Sequence, residues 1–419
     1  MPAPAPSYRT RFALDAGTVV TRLSRALGHG GAMIGGRVGL LLDPGLLSYL
    51  ATDRRVALVS GTNGKTTTTA MLAAALRTAG PVASNASGAN MLDGIAAALA
   101  ADPACTAACE VDELYLPAAA RQLRPNAIVL LNLTRDQLDR VGELRRTESA
   151  IRTVLSTLPG TVVVANADDP YVVSAALPTS RPVWVASGGS WWDDAGSCPR
   201  CGAPILHDGD DWSCSRCDLR RPDPHYWLDG DRLAARDGTR VPLGLGLPGH
   251  HNAANAAHAI AAAGALSIPL DRAVAAVRSI GEVQGRYGSV RVGDHLLRLL
   301  LAKNPAGWTE TLALLEGSRR PIAISVNARQ ADGTDTSWLY DVPFERLAGR
   351  KVLACGDRAA DVAVRLAYAD VVARTAPDVL AGIAELPDGD VDVVGDYTSF
   401  RALHERLSRT GLSRDDSGG

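Results

Sequence analysis

The sequence predicts an α/β protein with two domains: a central domain built on a doubly wound parallel sheet, and a smaller Rossmann-like domain after it. Two observations lead to this prediction. Apolar runs of strand length alternate with helical patterns over residues 55–186 and again from about residue 289 onward. The first apolar run also leads through a glycine-bracketed loop into a helix, an order that is typical of parallel sheets that bind phosphate groups.

The central domain is predicted over residues 53–288, with helices on both faces of its sheet because parallel strands need helical crossovers. The expected strands lie at 55–60, near 82, and at 105–110, 127–133, 161–166 and 183–186. The expected helices lie at 67–78, 92–101 and 118–123, followed by a cysteine-rich insertion at about 190–225, an alanine-rich helix that ends near 266, and a helix at 270–279.

The two ends of the chain differ from this domain and from each other. Residues 289–419 are predicted to form the second α/β domain, with strands at 322–326, 351–354 and 391–394. Residues 1–52 are too few for a βαβ domain of their own, and we expect a disordered proline-rich tip followed by one or two helices.

Composition indicates a soluble, cytoplasmic enzyme. The chain has 419 residues, of which 46% are hydrophobic, and no signal peptide or apolar span of membrane length is evident. The formal net charge of −2 gives no electrostatic indication of nucleic-acid binding and argues against sequence-independent binding to its backbone. Lysine occurs only at 65, 303 and 351. Its presence at 65 and 303 in an arginine-rich chain suggests that an ammonium group is needed there, although chance explains it equally well.

The loop after the first strand predicts a nucleotide-phosphate site. Gly61 and Gly64 allow backbone N–H groups to turn inward, Lys65 adds charge, and the hydroxyl of Thr66 can bind Mg²⁺. The loop departs from the common G-x-x-x-x-G-K-[ST] pattern, because Val59 stands where the first glycine belongs.

Four of the seven cysteines form two Cys-x-x-Cys pairs, with the spacing of a structural zinc site: Cys198, Cys201, Cys214 and Cys217. Four cysteine ligands leave no open position for water, so the metal is expected to stabilise a small ribbon and take no part in catalysis. Disulfides conflict with a cytoplasmic location, and neither pair begins a thioredoxin-like unit that would suggest redox activity.

The other cysteines, Cys105, Cys109 and Cys355, lie in apolar surroundings and are expected to be buried. None has the sequence context of a catalytic nucleophile with an evident histidine partner. The sequence therefore shows no cysteine-based catalytic centre.

Polar residues follow three predicted strands. Residues 110–113 contain three carboxylates, with Glu110 as a candidate Mg²⁺ ligand, and residues 132–140 begin at a second strand end. There Thr134 or Asp136 could instead cap a helix. At residues 166–170, a turn followed by a helix cap is as good an interpretation as a functional site.

Together, these motifs resemble the Mur ligases and their folylpolyglutamate synthase relatives, which are ATP-dependent enzymes that join a carboxylate to an amine. Residues 61–67 match the loop of this family, including its missing glycine, and residues 249–255 resemble its G-x-H-N-x-x-N segment. By this resemblance the ATP-binding residues are Thr62, Asn63, Gly64, Lys65, Thr66, Thr67, Asn252, Asn255 and Arg286.

The resemblance also implies individual roles. Asn252 and Asn255 would contact adenine, Thr66 and Glu110 would bind Mg²⁺, and Lys65 and Glu110 would be catalytic. Arg286 would contact a phosphate or assist domain closure. Gly288 stands where the family often has glutamate, which is a departure near this arginine.

Within the family, the chain is similar to the MurT-type synthetases. These share the four-cysteine ribbon, a glutamine at the position of Gln137, and segments like residues 301–307 and 332–338. The resemblance implies ATP-dependent amidation of the α-carboxyl of D-glutamate in the lipid II stem peptide, by way of an acyl phosphate. A GatD-like glutaminase subunit would supply ammonia within a heterodimer. Because the first 50 residues cannot form a uridine diphosphate-binding domain, a lipid-linked substrate at the inner membrane surface is expected.

The resemblance further implies that an aspartate of this chain completes the Cys–His pair of the glutaminase. Asp335 is the first choice, followed by Asp332 and Asp341. The alternative is that these residues form an Asp-Gly turn and helix caps. Two other functions remain open: a stand-alone amino-acid ligase of the Mur or folylpolyglutamate type, and a non-catalytic scaffold held together by zinc.

Overall fold

A computed structural model describes residues 6–27, 33–85, 89–135, 143–188, 193–281, 287–329 and 332–409. The described residues form two compact units. The first contains those within 1–134, 142–247 and 251–281, and the second contains those within 135–141, 248–250 and 282–419. The predicted proline-rich tip lies mostly outside the described residues.

The strands of the first unit are β1 (Arg55–Ser60), β2 (Val82–Ala83), β3 (Thr106–Glu110), β4 (Ala127–Leu130), β5 (Val162–Asn166), β6 (Pro182–Ala186), β7 (Ile205–Asp208), β8 (Asp211–Cys214), β9 (Tyr226–Asp229), β10 (Arg232–Ala235) and β11 (Arg240–Pro242). The helices up to the start of the second unit's sheet are α1 (Tyr8–Ala26), α2 (Ile34–Leu42), α3 (Leu46–Ala51), α4 (Lys65–Arg77), α5 (Leu92–Ala101), α6 (Leu116–Leu123), α7 (Glu143–Leu155), α8 (Pro170–Ala176), α9 (His250–Ala265) and α10 (Leu270–Arg278).

The main sheet of the first unit has the order β11-β10-β9-β6-β5-β4-β1-β3-β2. Strands β1 to β6 pair in parallel, which confirms the predicted doubly wound sheet. The strand β1 lies between β3 and β4 and is buried on both faces from Val56 to Val59. The carboxyl ends of these three neighbouring strands therefore meet at one edge of the sheet.

Three strands extend this sheet beyond the prediction. After the cysteine-rich insertion, β9 pairs in parallel with β6, and β10 and β11 follow in antiparallel order. The turn between β9 and β10 contains Gly230 at φ +62°. Asp229 pairs with Arg232, so Gly230 and Asp231 form a two-residue loop, and glycine at the first loop position is typical of such a hairpin.

The N-terminal segment contains three helices, so the expectation of one or two was too low. Small residues allow them to pack closely. A Cβ on Gly17 would lie 2.7 Å from the carbonyl oxygen of Gly35, and one on Gly36 would collide with the carbonyl oxygen of Asp93 in α5. The helices thus pack backbone against backbone, and periodicity alone does not predict such contacts.

We expect the substitution Gly36→Val to destabilise the first unit by about 2 kcal/mol or more, because the new side chain forces α2 away from α5. Gly160→Val is the matched control, since a Cβ there meets nothing within 4 Å. Urea unfolding followed by circular dichroism measures both variants. Equal stability of the two variants would show that the α2–α5 contact tolerates a larger side chain.

The second unit contains a separate sheet whose order is β12-β13-β17-β14-β15-β16. Its strands are β12 (Tyr287–Val292), β13 (His295–Leu301), β14 (Ile322–Ser325), β15 (Val352–Cys355), β16 (Ala373–Ala376) and β17 (Gly389–Gly395). Its helices are α11 (Pro305–Leu314), α12 (Ala359–Tyr368), α13 (Val379–Ile383) and α14 (Tyr397–Arg409), with 3₁₀ helices at Ser337–Asp341 and Phe344–Leu347. Apart from the antiparallel pair β12–β13, the strands are parallel, as in the predicted Rossmann-like domain.

Within the described ranges, no helix is both long enough and apolar enough to cross a membrane.

Candidate active site and metal centre

The predicted phosphate loop joins the carboxyl end of β1 to the start of α4. Gly61 and Gly64 have φ values of +142° and +83°, which side chains rarely allow. A Cβ on Gly61 would lie 3.0 Å from the backbone of Asn132, so the glycine permits close passage of two chain segments. Val59 is still part of β1 and pairs with Glu110, which explains why no glycine is needed there.

Asn132 holds this loop in place. Its side-chain oxygen accepts a hydrogen bond from the Asn63 N–H at 2.8 Å, and its Nδ2 donates to the Asn63 carbonyl at 3.1 Å. Its own carbonyl accepts from the Thr62 N–H at 3.0 Å. The Thr62 hydroxyl in turn bonds the backbone of Thr134. The sequence pointed to the segment that begins at residue 132, but it assigned no role to this asparagine.

Lys65 begins α4 and is nearly buried, with 5% of its side chain exposed. Its Nζ donates to the Gly61 carbonyl at 2.5 Å and lies 3.2 Å from Oε2 of Glu113. A buried ammonium needs such compensation. Glu113 belongs to the acidic segment at residues 110–113, but the sequence does not show that it is the partner of Lys65.

Thr66 and Glu110 lie next to each other, as a shared Mg²⁺ site requires. The Thr66 hydroxyl donates to Oε2 of Glu110 at 2.8 Å, and Asn90 donates to Oε1 at 3.2 Å. Asn85 fixes the backbone of Glu110 through two hydrogen bonds of 2.8 Å. A hydroxyl and a carboxylate oxygen are hard ligands that suit Mg²⁺, so these residues fit the ion. Thr67, which the resemblance also included, is buried in the first turn of α4.

Asn252 and Asn255 lie three residues apart on α9 and are both buried. Asn255 reaches the phosphate loop, since a Cβ on Gly64 would collide with its Oδ1. Gly64 is thus required both by its backbone conformation and by this contact. Arg286 and Gln137 lie outside the described residues.

The polar residues at the third predicted strand end, residues 166–170, form hydrogen bonds within the fold. Asp169 caps α8 by accepting hydrogen bonds from the Tyr171 and Val172 N–H groups, and it also accepts one from Leu133. Asp168 accepts from the N–H groups of residues 187 and 188. These contacts match the helix-cap interpretation.

The four predicted zinc ligands form one cluster. Their Sγ atoms lie within 4.8 Å of one another, and the distances are 3.6 Å between Cys198 and Cys217 and 3.4 Å between Cys201 and Cys214. Four sulfurs around one tetrahedral metal are separated by about 3.8 Å, so the cluster fits a single ion. The N–H groups of residues 216 and 217 donate to Cys214 Sγ, and they lower the pKa of this thiol to about 6.

The insertion that carries these cysteines is anchored on the main sheet. The strands β7 and β8 form its hairpin, and the buried Trp212 donates from Nε1 to the Ala167 carbonyl at 3.1 Å. Arg221 also forms an ion pair with the buried Asp168 at 2.7 Å. A metal at the cluster would therefore stabilise a ribbon that is attached to the end of β5.

We expect the purified protein to contain one tightly bound metal ion per chain, and we expect Cys214→Ser to lose it. Loss of the metal removes a cross-link, so the Tm should fall by about 10 °C or more. Cys105→Ser is the matched control, because Cys105 is exposed and lies outside the cluster. Elemental analysis and calorimetry provide the measurements. Full metal content in the Cys214 variant would contradict a four-cysteine site.

The remaining cysteines only partly match the prediction. Cys109 and Cys355 are buried as expected, and burial raises the pKa of each thiol to about 12. Cys105 is exposed, so the prediction that it is buried was wrong. It lies in the turn directly before β3, where the apolar run of the strand has not yet entered the core.

The three candidate aspartates of the second unit have different surroundings. Asp332 accepts hydrogen bonds from the N–H and hydroxyl of Thr398 at 2.8 and 2.5 Å, which ties it to α14. Asp335 is partly exposed and accepts from the N–H and hydroxyl of Ser337, which lower its pKa. Asp341 is exposed at the end of a 3₁₀ helix. Asp335 combines an accessible carboxylate with a fixed orientation.

Two known protein families match separate parts of this chain. The Mur ligase middle domain matches residues 59–187, and the MurT ligase C-terminal domain matches residues 301–400. The first match covers the phosphate loop and Glu110, and the second covers all three candidate aspartates.

Curated relatives match nearly the whole length. The MurT subunit of the glutamine-hydrolysing lipid II isoglutaminyl synthase of Streptococcus pneumoniae is 29% identical over 433 residues, which cover 95% of this chain and 96% of that protein. The corresponding subunit of Staphylococcus aureus (strain COL) is 27% identical, with coverage of 95% and 98%.

Solved structures show the same fold at lower identity. A pseudomurein peptide ligase type C from Methanothermus fervidus has a TM-score of 0.67 and 18% identity, with 86% of this chain and 80% of that chain covered. A folylpolyglutamate synthase from Thermotoga maritima has a TM-score of 0.60 and 13% identity, with 96% of each chain covered. The chain thus carries a Mur ligase middle domain followed by a MurT ligase C-terminal domain, and it is similar over nearly its whole length to the MurT subunits.

Proposed function

We propose that this chain is the synthetase subunit of a glutamine-dependent amidating enzyme of peptidoglycan biosynthesis. It uses ATP to convert the α-carboxyl of D-glutamate in the lipid II stem peptide to the amide of D-isoglutamine. One observation carries the proposal: the ligase loop with Lys65, Thr66 and Glu110 occurs in one chain with a MurT-type C-terminal domain, and the chain matches the pneumococcal subunit over 95% of its length.

The carboxylate must first be activated, because oxide is a very poor leaving group. A carboxylate oxygen attacks the γ-phosphorus of ATP, ADP leaves, and an acyl phosphate forms. The ammonium of Lys65 and the N–H groups at the start of α4 lie where they would neutralise and orient the phosphates. Mg²⁺, with Thr66 and Glu110 as ligands, would add positive charge at the transferred phosphoryl group. Asn252 and Asn255 would contact adenine, and Arg286 a phosphate.

Ammonia then attacks the acyl carbon, phosphate leaves with the electron pair of the broken C–O bond, and the nitrogen gives up one proton to form the neutral amide. Ammonia must arrive as NH₃, since ammonium has no free electron pair. Cys109 and Cys355 are buried with pKa values of about 12, and four further cysteines form the metal cluster. No hydrogen bond joins the remaining Cys105 to a histidine among the described residues. Glutamine hydrolysis is therefore assigned to a separate GatD-like subunit in a heterodimer.

Two further assignments belong to this proposal. The cysteine cluster holds structural Zn²⁺, because four thiolates at tetrahedral spacing suit that ion and leave no position for a substrate. Asp335 orients the catalytic histidine of the glutaminase subunit. Since the substrate is lipid-linked, the complex works at the inner face of the cytoplasmic membrane.

Amidation of lipid II by this chain, purified together with a GatD-like glutaminase, tests the proposal. With both subunits present, we expect ATP-dependent product from either glutamine or ammonium chloride. When the glutaminase is omitted, only ammonium chloride should give product. Incorporation of an amino acid without any ammonia source would instead favour a stand-alone ligase. Absence of ATP hydrolysis and amidation in a correctly folded complex would favour a non-catalytic scaffold.

A further inference from the structure

The first helix of the chain carries large apolar side chains on its solvent-facing side. Tyr8, Phe12, Val19, Leu23 and Leu27 are between 54% and 94% exposed. They recur at spacings of four and seven residues, so they form one stripe along α1. We call these five residues the α1 stripe. A continuous apolar surface of this kind usually marks an interaction site.

The buried side of α1 explains why the stripe faces outward. This side contacts α2 through small residues, among them Ala13 and Gly17, and a Cβ on Gly17 would lie 2.7 Å from the Gly35 carbonyl oxygen. A helix at the surface of a globular protein normally turns its large apolar residues inward. Small residues between helices and large apolar residues outside are instead typical of helices in lipid.

Specific hydrogen bonds fix this orientation of α1. The Thr10 hydroxyl donates to the buried Asp43 at 2.7 Å, and Arg9 Nε donates to the Leu42 carbonyl at 2.6 Å. Ser7 caps the helix by accepting from the Thr10 N–H. Rotation of the helix to bury the stripe would break these bonds, so the exposed stripe is a built feature of the fold.

Basic residues border the stripe. Arg11, Arg22 and Arg25 are exposed on α1, which carries a single acidic residue, Asp15. No ion pair within the described part of the chain involves these three arginines. An apolar helix face beside arginines complements the acyl chains and the negative head groups of an anionic bilayer.

The N-terminal helices also lie close to the candidate active site. The helix α2 packs on α5, where a Cβ on Gly36 would collide with the Asp93 carbonyl oxygen. Asn90, which directly precedes the N-cap residue of α5, donates to Glu110. One helix therefore separates α2 from the residues proposed to activate the carboxylate.

We propose that the α1 stripe, together with Arg11, Arg22 and Arg25, docks this chain on the surface of an anionic lipid bilayer, with α1 lying in the plane of the interface. This proposal deepens the proposed function, which places the substrate in that bilayer. Its test needs no substrate, so the two proposals can fail separately.

Sedimentation of the full chain with vesicles measures the interaction. We expect binding to vesicles of phosphatidylglycerol and phosphatidylcholine, and much weaker binding to phosphatidylcholine alone. The double substitution Phe12→Asp/Leu23→Asp should lower the partition coefficient at least about tenfold, because two apolar anchors are lost. Arg11→Gln/Arg22→Gln/Arg25→Gln should lower it by about tenfold or more on the anionic vesicles.

The matched control is Val372→Asp, which places a charge at an apolar residue of the second unit that is 88% exposed. This variant should bind vesicles as the wild type does. Thermal unfolding checks that all variants are folded, as is expected for exposed positions. The proposal is overturned if the Phe12/Leu23 variant binds vesicles as strongly as the wild type does. It is also overturned if these substitutions change self-association of the protein and leave vesicle binding unchanged.

Amidation separates this inference from the proposed function. A water-soluble lipid II analogue should be amidated equally by the wild type and by the Phe12/Leu23 variant. If the wild type binds anionic vesicles through the stripe but amidates nothing, the proposed function fails and the docking surface stands. If amidation proceeds and no variant alters vesicle binding, the docking surface fails.

Discussion

Replacing Lys65 with methionine is expected to lower kcat for amidation by about a thousandfold or more. The ammonium lies between the Gly61 carbonyl and Glu113 at the start of α4, where it would face the transferred phosphoryl group. Methionine keeps most of the apolar stem but removes the charge that stabilises the transition state. The rate with saturating ammonium chloride is the proper measurement, because it does not depend on glutamine hydrolysis.

Lys351→Met serves as the control, since Lys351 is exposed in the second unit and its loss should leave the rate unchanged. Glutaminase activity and thermal unfolding of the Lys65 variant show whether the complex still assembles and folds. A rate within about tenfold of the wild type would mean that Lys65 does not act on the phosphates, since loss of a single such group normally costs more.

The substitution Asp335→Asn should abolish glutamine-dependent amidation and leave ammonium-dependent amidation intact. An aspartate that orients a catalytic histidine contributes about ten thousandfold to the rate in comparable triads, and asparagine keeps the shape without the charge. Hydrogen bonds from Ser337 already hold this carboxylate in one orientation and favour its charged form by lowering its pKa. The ratio of the two rates is therefore the measurement.

Asp341→Asn and Asp332→Asn distinguish the candidates. Asp341 is exposed, so its substitution should leave both rates unchanged if Asp335 has the proposed role. Asp332 bonds Thr398, so its loss should lower the stability of the second unit and reduce both rates together. Wild-type glutaminase activity in the Asp335 variant would exclude this residue as the orienting aspartate.

Several elements could be predicted because their signals are local. The apolar run before Gly61 predicts a buried parallel strand, and the loop after it requires positive φ values that glycine accepts. The Cys-x-x-Cys pairs likewise predicted that four cysteines cluster at spacing suited to a metal, since each pair positions its sulfurs through its own short turn. Even the alternation of strands and helices reflects local periodicity, and it predicted both sheets.

Other features depend on residues that are distant in sequence. The N-terminal segment contains three helices where one or two were expected, because its packing relies on close contacts of Gly17, Gly35 and Gly36 with the backbone of other segments. The exposure of Cys105 follows from where β3 enters the core, which its apolar neighbours do not reveal. The strands β9 to β11 extend a sheet whose edge is known only after the other strands are placed.

The candidate site shows the same division. The sequence alone indicated Lys65, Thr66 and Glu110 as candidate site residues, since a nucleotide loop and an acidic strand end are motifs of adjacent residues. Only the tertiary structure showed that Glu113 compensates the charge of Lys65, that Asn132 clamps the loop, and that Asn255 reaches Gly64. These partners lie between 48 and about 190 residues away along the chain, and the packing of parallel strands and helices brings them together. The orientation of α1 likewise depends on its close contacts with α2, which the periodicity of the sequence does not predict.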